Sequence, residues 1–414
     1  MDVSNFTEDL LEREEFAHRL ESFLLTEQKF VPDGLVIALS AKFGSGKTTF
    51  LRMWKSRIDT HSSPDNAFIA VTLNAWESDY LGDPLLAIIS DLTEQLSKTS
   101  AKGVEKLIDC TKKFGWFAIA MGNQVVKSVS GIDPIAAGEF TEKKTSGKKP
   151  PVDLFSIYKQ KKEAMAELKD ALRQCIDSSP SQILFLVDEL DRCRPDYAIT
   201  YLETIKHIFD IKGAIFVLAA DRKQLENVAK KSFGSNLDFN EYYRKFIHRE
   251  ICLPEISEKG CQALTRSYVE KYMSVEGVRL CFLKIPDRMT EIISLVSQYG
   301  LTPRQTQEVF RLLGHILETP EAENAGKLRW CLGVGSILMC TLKVGDPRLY
   351  DVLGRKGLSA DEAISFTSPL SNPHEKQWWL NILFTGGAFL EDGSEKEGGA
   401  FHEVLSRLGL NFDG

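Results

Sequence analysis

The chain has 414 residues, 43% of them apolar and 26% charged, with a formal net charge of −7. That is the make-up of a soluble globular protein with one large or two ordinary domains and enough apolar residues to bury a sizeable core. The acidic balance argues against a broad nucleic-acid-coating surface, while leaving room for a local basic groove.

The eight cysteines (110, 175, 193, 252, 261, 281, 331 and 340) form no C-x-x-C pair, and the seven histidines are equally dispersed. Zinc is not expected, and the thiols read as reduced core residues of a cytosolic protein. The opening Met1-Asp2-Val3-Ser4 has no basic or apolar run of a signal peptide, so a cytoplasmic location is expected. The longest charge-free windows, between Lys113 and Lys127 and between Arg329 and Lys343, are 13 residues each. A bilayer span needs about 20, so both read as buried or interfacial helices.

Taken in order, residues 5–30 carry Phe6, Leu10, Leu11, Phe16, Leu20, Phe23 and Leu24 on one helical stripe, with Thr7 at its start. Leu35–Ser40 is an apolar strand. It runs into Ala41-Lys42-Phe43-Gly44-Ser45-Gly46 and then a helix over Thr48–Ile58. A strand, a glycine loop and a helix opened by Gly46-Lys47-Thr48 are what a polyphosphate needs. Backbone N–H groups converge on the anion, and the helix dipole favours its charge. Lys47 is expected to reach the β/γ-phosphates and the Thr48 hydroxyl to hold Mg2+, with Gly44, Ser45, Gly46 and Thr49 completing the cradle. The usual pattern has glycine six residues before the lysine; here that place is Ala41.

A turn cluster at 62–66 precedes a second strand, Phe68–Leu73, followed by Asn74-Ala75-Trp76 and a helix over Pro84–Leu96. Residues 99–152 differ in composition and end in a tail holding Lys143, Lys144, Lys148 and Lys149. They read as an insertion with a solvated end. A charged helix over Val152–Cys175 leads to Ile183–Val187, a run suited to a strand buried on both faces. A helix over Tyr197–Phe209, a strand over Ala214–Ala220, a helix over Lys223–Lys231 and a last strand at Ile251–Pro254 follow. This alternation predicts an α/β fold, a parallel sheet flanked by helices with its ligand at the carboxyl ends of the strands. Beyond it, Ser257–Met273, Arg288–Gln298 and Pro303–Leu317 read as helices of a lid. Residues 326–414 carry Trp378-Trp379 and glycine pairs that break the periodicity; the tryptophans read as the core of a small subdomain.

The strand at 183–187 ends in Asp188-Glu189. Two adjacent carboxylates at the end of a buried strand are costly unless a cation compensates them. Asp188 is expected to bind Mg2+ and Glu189 to address the attacking water. Arg192, Arg194, Arg222, Arg244, Lys245, Arg249, Arg304 and Arg311 are candidates for charge at a γ-phosphate. No Asn-Lys-x-Asp element for reading guanine is present, which favours adenine.

These residues resemble the KAP-family P-loop NTPases. Asp188-Glu189-Leu190-Asp191-Arg192-Cys193 is similar to the family's extended Walker B, and Phe43–Thr48 to its aromatic-GSGK[ST] loop. Asp9–Arg13 with Phe16-Ala17 resembles its N-terminal helix, and Asn74-Ala75-Trp76 its Asn-x-Trp element. Phe216–Arg222 resembles its fourth strand and Tyr242–Ile247 with Leu253-Pro254 the approach to its last one, although His248 stands where an acid is common. Leu301-Thr302-Pro303-Arg304 resembles its lid arginine. The resemblance spans roughly residues 5–315 and singles out Arg192 and Arg304 among the arginines.

It implies an ATPase of the STAND/AAA-like class that uses ATP and Mg2+, assembles with itself or a protein partner, and acts as a nucleotide-driven switch. Many bacterial members serve in anti-phage defence, and many carry membrane helices between the two nucleotide motifs. The 99–152 stretch is too short and polar for that. The implied organisation is an N-terminal helix (1–30), a P-loop ATPase core (31–255), a helical lid (256–325) and a C-terminal subdomain (326–414). Two other readings compete: an ATP-clamped recruitment module with little turnover, and, with the weakest footing, a nucleic-acid-dependent ATPase.

Overall fold

The structure, a computed structural model, describes residues 3–60, 67–97, 104–120, 154–179, 181–273, 286–317, 329–356, 359–368, 376, 379 and 380. The turn at 62–66, the lysine tail, Trp378 and the C-terminal glycine pairs lie outside the described residues. The chain divides into two compact units. The first comprises Met1–Asp9, Arg13–Lys42 and Lys47–Pro254, and the second Leu10–Glu12, Phe43–Gly46 and Glu255–Gly414.

The first unit is built on five parallel strands: β1 (Leu35–Ser40), β2 (Phe68–Asn74), β3 (Gln182–Asp188), β4 (Ala214–Ala220) and β5 (Arg249–Cys252). Their order across the sheet is β2-β3-β4-β1-β5. β1, β3 and β4 read as unbroken apolar runs because both faces are covered; β4 is buried at every position. Alternate side chains serve opposite layers. Leu35, Ile37 and Leu39 join Ile215 and Val217 under α1 (Glu14–Glu27) and α2 (Lys47–Thr60), through Leu20, Leu24, Phe50 and Trp54. Val36, Ala38, Phe216 and Leu218 face the other layer, where Phe185 stacks on Phe216 with ring centroids 4.3 Å apart.

That second layer holds α3 (Ala75–Asp79), α4 (Pro84–Ser97), α5 (Val104–Ala120), α6 (Leu154–Asp177) and α7 (Pro195–Ile208). Val104, Leu107 and Cys110 of α5 share one core with Leu168, Leu172 and Cys175 of α6. The stretch that composition marks as an insertion therefore begins as a core helix. α8 (Arg222–Phe233) and α9 (Phe239–Tyr243) complete the unit. Among the described residues no helix is long and apolar enough to cross a membrane.

Two expectations need correction. The N-terminal stripe is not one helix: a 3-10 turn at Phe6–Glu8, capped by Asn5, is separated from α1. The backbone reverses at Glu12, whose φ is 54°, and the Asp9 carboxylate accepts the Arg13 N–H at 2.8 Å. Phe6 and Phe16 still meet, on the ring of Phe50. The last strand begins two residues earlier than its apolar pattern suggests. His248 extends the pairing: its N–H donates to the Val36 carbonyl and its Nδ1 accepts the Val36 N–H at 3.0 Å. Pro254, with no N–H to donate, follows the last bond of the ladder, from Leu253 to Ser40.

β2 lies at an edge of the sheet. Three of its backbone groups are met by side chains. Gln95 accepts the Thr72 N–H at 3.1 Å and donates to the Thr72 carbonyl at 2.9 Å, and Lys55 donates to the Ala70 carbonyl at 3.0 Å.

The second unit is helical, with helices at Glu258–Met273, Pro286–Gln298, Pro303–Leu317, Arg329–Gly345, Pro347–Lys356 and Ala360–Thr367. Its core gathers Leu264, Ile292, Val309, Phe310, Ile337 and Phe366, and Trp379 is buried there too. Thr302 and Gln305 satisfy each other's backbone N–H groups at the start of the third helix, and Ser359 and Glu362 form a capping box on the last.

Candidate functional site

Two strand ends supply the chemistry of the first unit. β1 delivers the chain to the glycine loop. Gly44 and Gly46 have φ of 79° and 91°, left-handed conformations that side chains avoid and that turn successive N–H groups to one side. α2 then opens at Lys47. The Lys47 side chain is buried, and its Nζ donates to the carbonyls of Ala41 at 2.8 Å and Lys42 at 3.4 Å. Asp191 lies 3.9 Å from the same Nζ. Thr48 is exposed at the head of the helix.

β3 delivers the acids. Its last residue, Asp188, pairs in register with Asn74 at the end of β2 and with Ala219 near the end of β4. The Thr48 hydroxyl hydrogen-bonds the Asp188 carboxylate, and the Glu189 N–H donates to it at 2.9 Å. Burial raises the Asp188 pKa; those two hydrogen bonds oppose the rise, Asp191 adds to it and Lys47 offsets it. A hydroxyl beside a carboxylate is a hard-oxygen donor set of the kind Mg2+ takes, so the residues present fit that ion.

Glu189 follows in a left-handed conformation, with φ of 62°, which a non-glycine residue holds only where its surroundings insist. The kink leads into a 3-10 turn, Leu190–Arg192, whose anchor Leu190 is fully buried. Arg192 reaches back, its Nη1 2.8 Å from Glu189 Oε1, and its guanidinium lies over the ring of Trp76 at 5.7 Å. Asn74 caps α3 through the N–H groups of Trp76 and Glu77, and its side chain also hydrogen-bonds Glu189. Burial raises the Glu189 pKa, while Arg192 and Asn74 pull it down. Beside Thr48 and Asp188 a cleft of about 590 Å3 runs past Arg52, Asn74 and Glu77 to Asp91.

Lys47, Thr48, Asp188, Glu189 and Arg192 thus gather in the first unit. Arg304 belongs to the second, which takes in the loop residues Phe43–Gly46. There its guanidinium covers the Phe43 ring at 4.9 Å, and a Cβ on Gly44 would come within 2.9 Å of the Arg304 Cβ. The other arginines have evident structural partners. Arg194 grips buried Asp79 through three bonds of 2.8 Å. Arg222 pairs with Glu250, Arg244 with Glu241, Arg249 with Glu27 and Arg311 with Glu308. The residue that sequence reasoning passed over is Asp191, whose Oδ2 also accepts the Asp221 N–H at 2.7 Å. It stands in the Asp188–Cys193 motif, but no role was assigned to it there.

No sequence match was found among curated proteins. Solved structures that resemble the chain include the Aeropyrum pernix ORC2 protein in its ADP form, 13% identical with a TM-score of 0.37, covering 96% of this chain and 85% of that one. The Aeropyrum pernix ORC1 protein in complex with DNA is 14% identical with a TM-score of 0.35, covering 96% and 83%. The model of the KAP family P-loop domain matches residues 13–319, which take in both strand ends described above. The chain belongs to the KAP family of P-loop NTPases.

Proposed function

We propose that the chain binds ATP with Mg2+, hydrolyses it, and uses the cycle as a switch. The observation that carries this reading is the meeting of Thr48, Asp188 and Glu189 where α2 and β3 converge. Thr48 and Asp188 would hold the metal, and Gly44, Ser45, Gly46 and Thr49 would help cradle the phosphates. Lys47 would leave the carbonyls of Ala41 and Lys42 for the β/γ-phosphates. Glu189 would orient the attacking water and take its proton as its oxygen bonds the γ-phosphorus and the bond from that phosphorus to the ADP oxygen breaks, releasing ADP and phosphate. When bound, the metal–nucleotide pair supplies the electrophile. Arg192 and Arg304 would answer to the γ-phosphate, and the helical stretch 256–325 with the 326–414 region would carry the change to a protein partner or a second copy. The defence setting rests on the family resemblance alone.

Glu189 is held by Arg192 and Asn74, which favours slow turnover by the isolated chain. The test is phosphate release by wild type and Glu189→Gln, alongside nucleotide binding. Turnover by wild type, with binding but no turnover by the variant, is the expected result. Equal turnover by the two proteins overturns the proposal.

A further inference from the structure

A buried lysine at the start of α2 and a buried aspartate of the acidic turn face each other within the first unit. The side chains of Lys47 and Asp191 are 8% and 5% exposed, with Nζ and Oδ2 3.9 Å apart. Burying either charge alone is costly, and the partner offsets much of that cost. The two other acceptors on Lys47, the carbonyls of Ala41 and Lys42, carry no net charge. Asp191 is therefore a major counter-charge for this ammonium in the nucleotide-free chain. It is also fixed in place. Leu190 anchors the turn, and the Asp221 N–H at the end of β4 holds Oδ2 at 2.7 Å.

We propose that Asp191 is the resting counter-ion of Lys47, so that an incoming phosphate chain must take the lysine from it. Asp191 is then a positioning residue that sets how much nucleotide is needed to fill the site. The exchange also reaches the helix that follows β4. The same oxygen that gives up Lys47 keeps the Asp221 N–H, and Asp221 caps α8 through the Lys223 N–H. A shift of the Asp191 side chain on nucleotide entry would be felt at that cap.

This inference rests on the reading of the loop as a phosphate site, and its test separates the two. ADP is titrated into the full chain in magnesium-free buffer, against wild type and Asp191→Asn. The carboxamide oxygen still accepts the Asp221 N–H but carries no charge. Asp191→Asn should bind ADP more tightly, by about fivefold or more, given the strength of a charge pair at that separation. Damage to the fold would weaken binding, so the direction of change is diagnostic. Asp191→Glu, which keeps the charge, should bind ADP no more tightly than wild type.

A second measurement uses thermal melting without nucleotide. Lys47→Met leaves Asp191 buried without its cation and should lower the midpoint; adding Asp191→Asn to it should restore part of the loss. That arm also covers the case in which Asp191→Asn alone folds poorly. If wild type takes up no ADP even with magnesium, the functional reading fails. If wild type binds and Asp191→Asn binds no tighter, or if the double variant melts at or below Lys47→Met, the counter-ion role is overturned.

Discussion

The polar side chains that the two units bury are of different kinds. Among the described residues the first unit buries charge, in Arg13, Lys47, Asp79 and the Asp191 carboxylate, besides the amide of Gln28. The second buries hydroxyls: Thr265, Thr302, Thr306, Ser336 and Thr341. A hydroxyl on a helix can satisfy itself, as Thr306 does on the Thr302 carbonyl and Thr341 on the Ile337 carbonyl. A charge cannot. It needs an oppositely charged or strongly polar group brought from another element, and it draws its neighbours into the arrangement. Two of the first unit's buried charges, Lys47 and Asp191, stand at the candidate site, whereas the buried hydroxyls of Thr306 and Thr341 in the second are satisfied by carbonyls four residues earlier.

Four perturbations sharpen or break that contrast, in order of expected size. Phe310→Ala, deep in the helical core, should lower unfolding stability by about 3–5 kcal/mol in a denaturant titration. Glu189→Gln should cut the ATP turnover rate by about 100-fold or more with little change in melting temperature, since its side chain serves the site and not the core. A large loss of stability in that variant would mean that Glu189 is a structural strut.

Asp91 offers a third check. Burial, with Glu94 and Glu77 nearby, pushes its pKa up to about 6. Between its unfolded value near 4 and this raised value the folded chain binds more protons than the unfolded one, so stability falls as pH rises through that window. Asp91→Asn should then stabilise the protein at pH 7 by roughly 1 kcal/mol, discounting for the carboxyl's partial exposure, and by nothing near pH 4. His248 runs the other way. Burial, with Lys206 and Arg249 nearby, depresses its pKa against the smaller pull of Asp210, and Nδ1 must stay unprotonated to accept the Val36 N–H. The unfolded chain takes the proton first, so stability declines as pH falls below about 6.5. His248→Gln should flatten that decline in melting curves taken from pH 7.5 to 5.5.

Much of the sheet was legible because buried strands announce themselves as apolar runs, and their ends as the first polar residues: Ser40, Asn74, Asp188 and Asp221. The phosphate loop and the acidic pair were legible because their chemistry is local in sequence. What escaped depends on backbone turns that composition does not encode. The reversal at Glu12 divides an otherwise continuous stripe. The left-handed step at Glu189 starts the turn that carries Asp191 toward Lys47, two residues far apart in the chain. His248 was noticed as a departure from the family's usual acid. Its use as a side-chain extension of the β1–β5 ladder is a tertiary fact. The helices beyond 326 were obscured by glycines and small residues, although Ile337, Leu338 and Leu342 do repeat on one buried face.

The amide of Gln95 occupies the rim of β2 as the peptide unit of a neighbouring strand would, one acceptor and one donor matched to Thr72. With Lys55 seated on the Ala70 carbonyl, three of the groups that a foreign backbone would need are already taken. A sixth ribbon could join this side only by evicting both side chains. The sheet is thereby guarded, along this stretch of its rim, against the runaway edge-to-edge growth that open sheets invite.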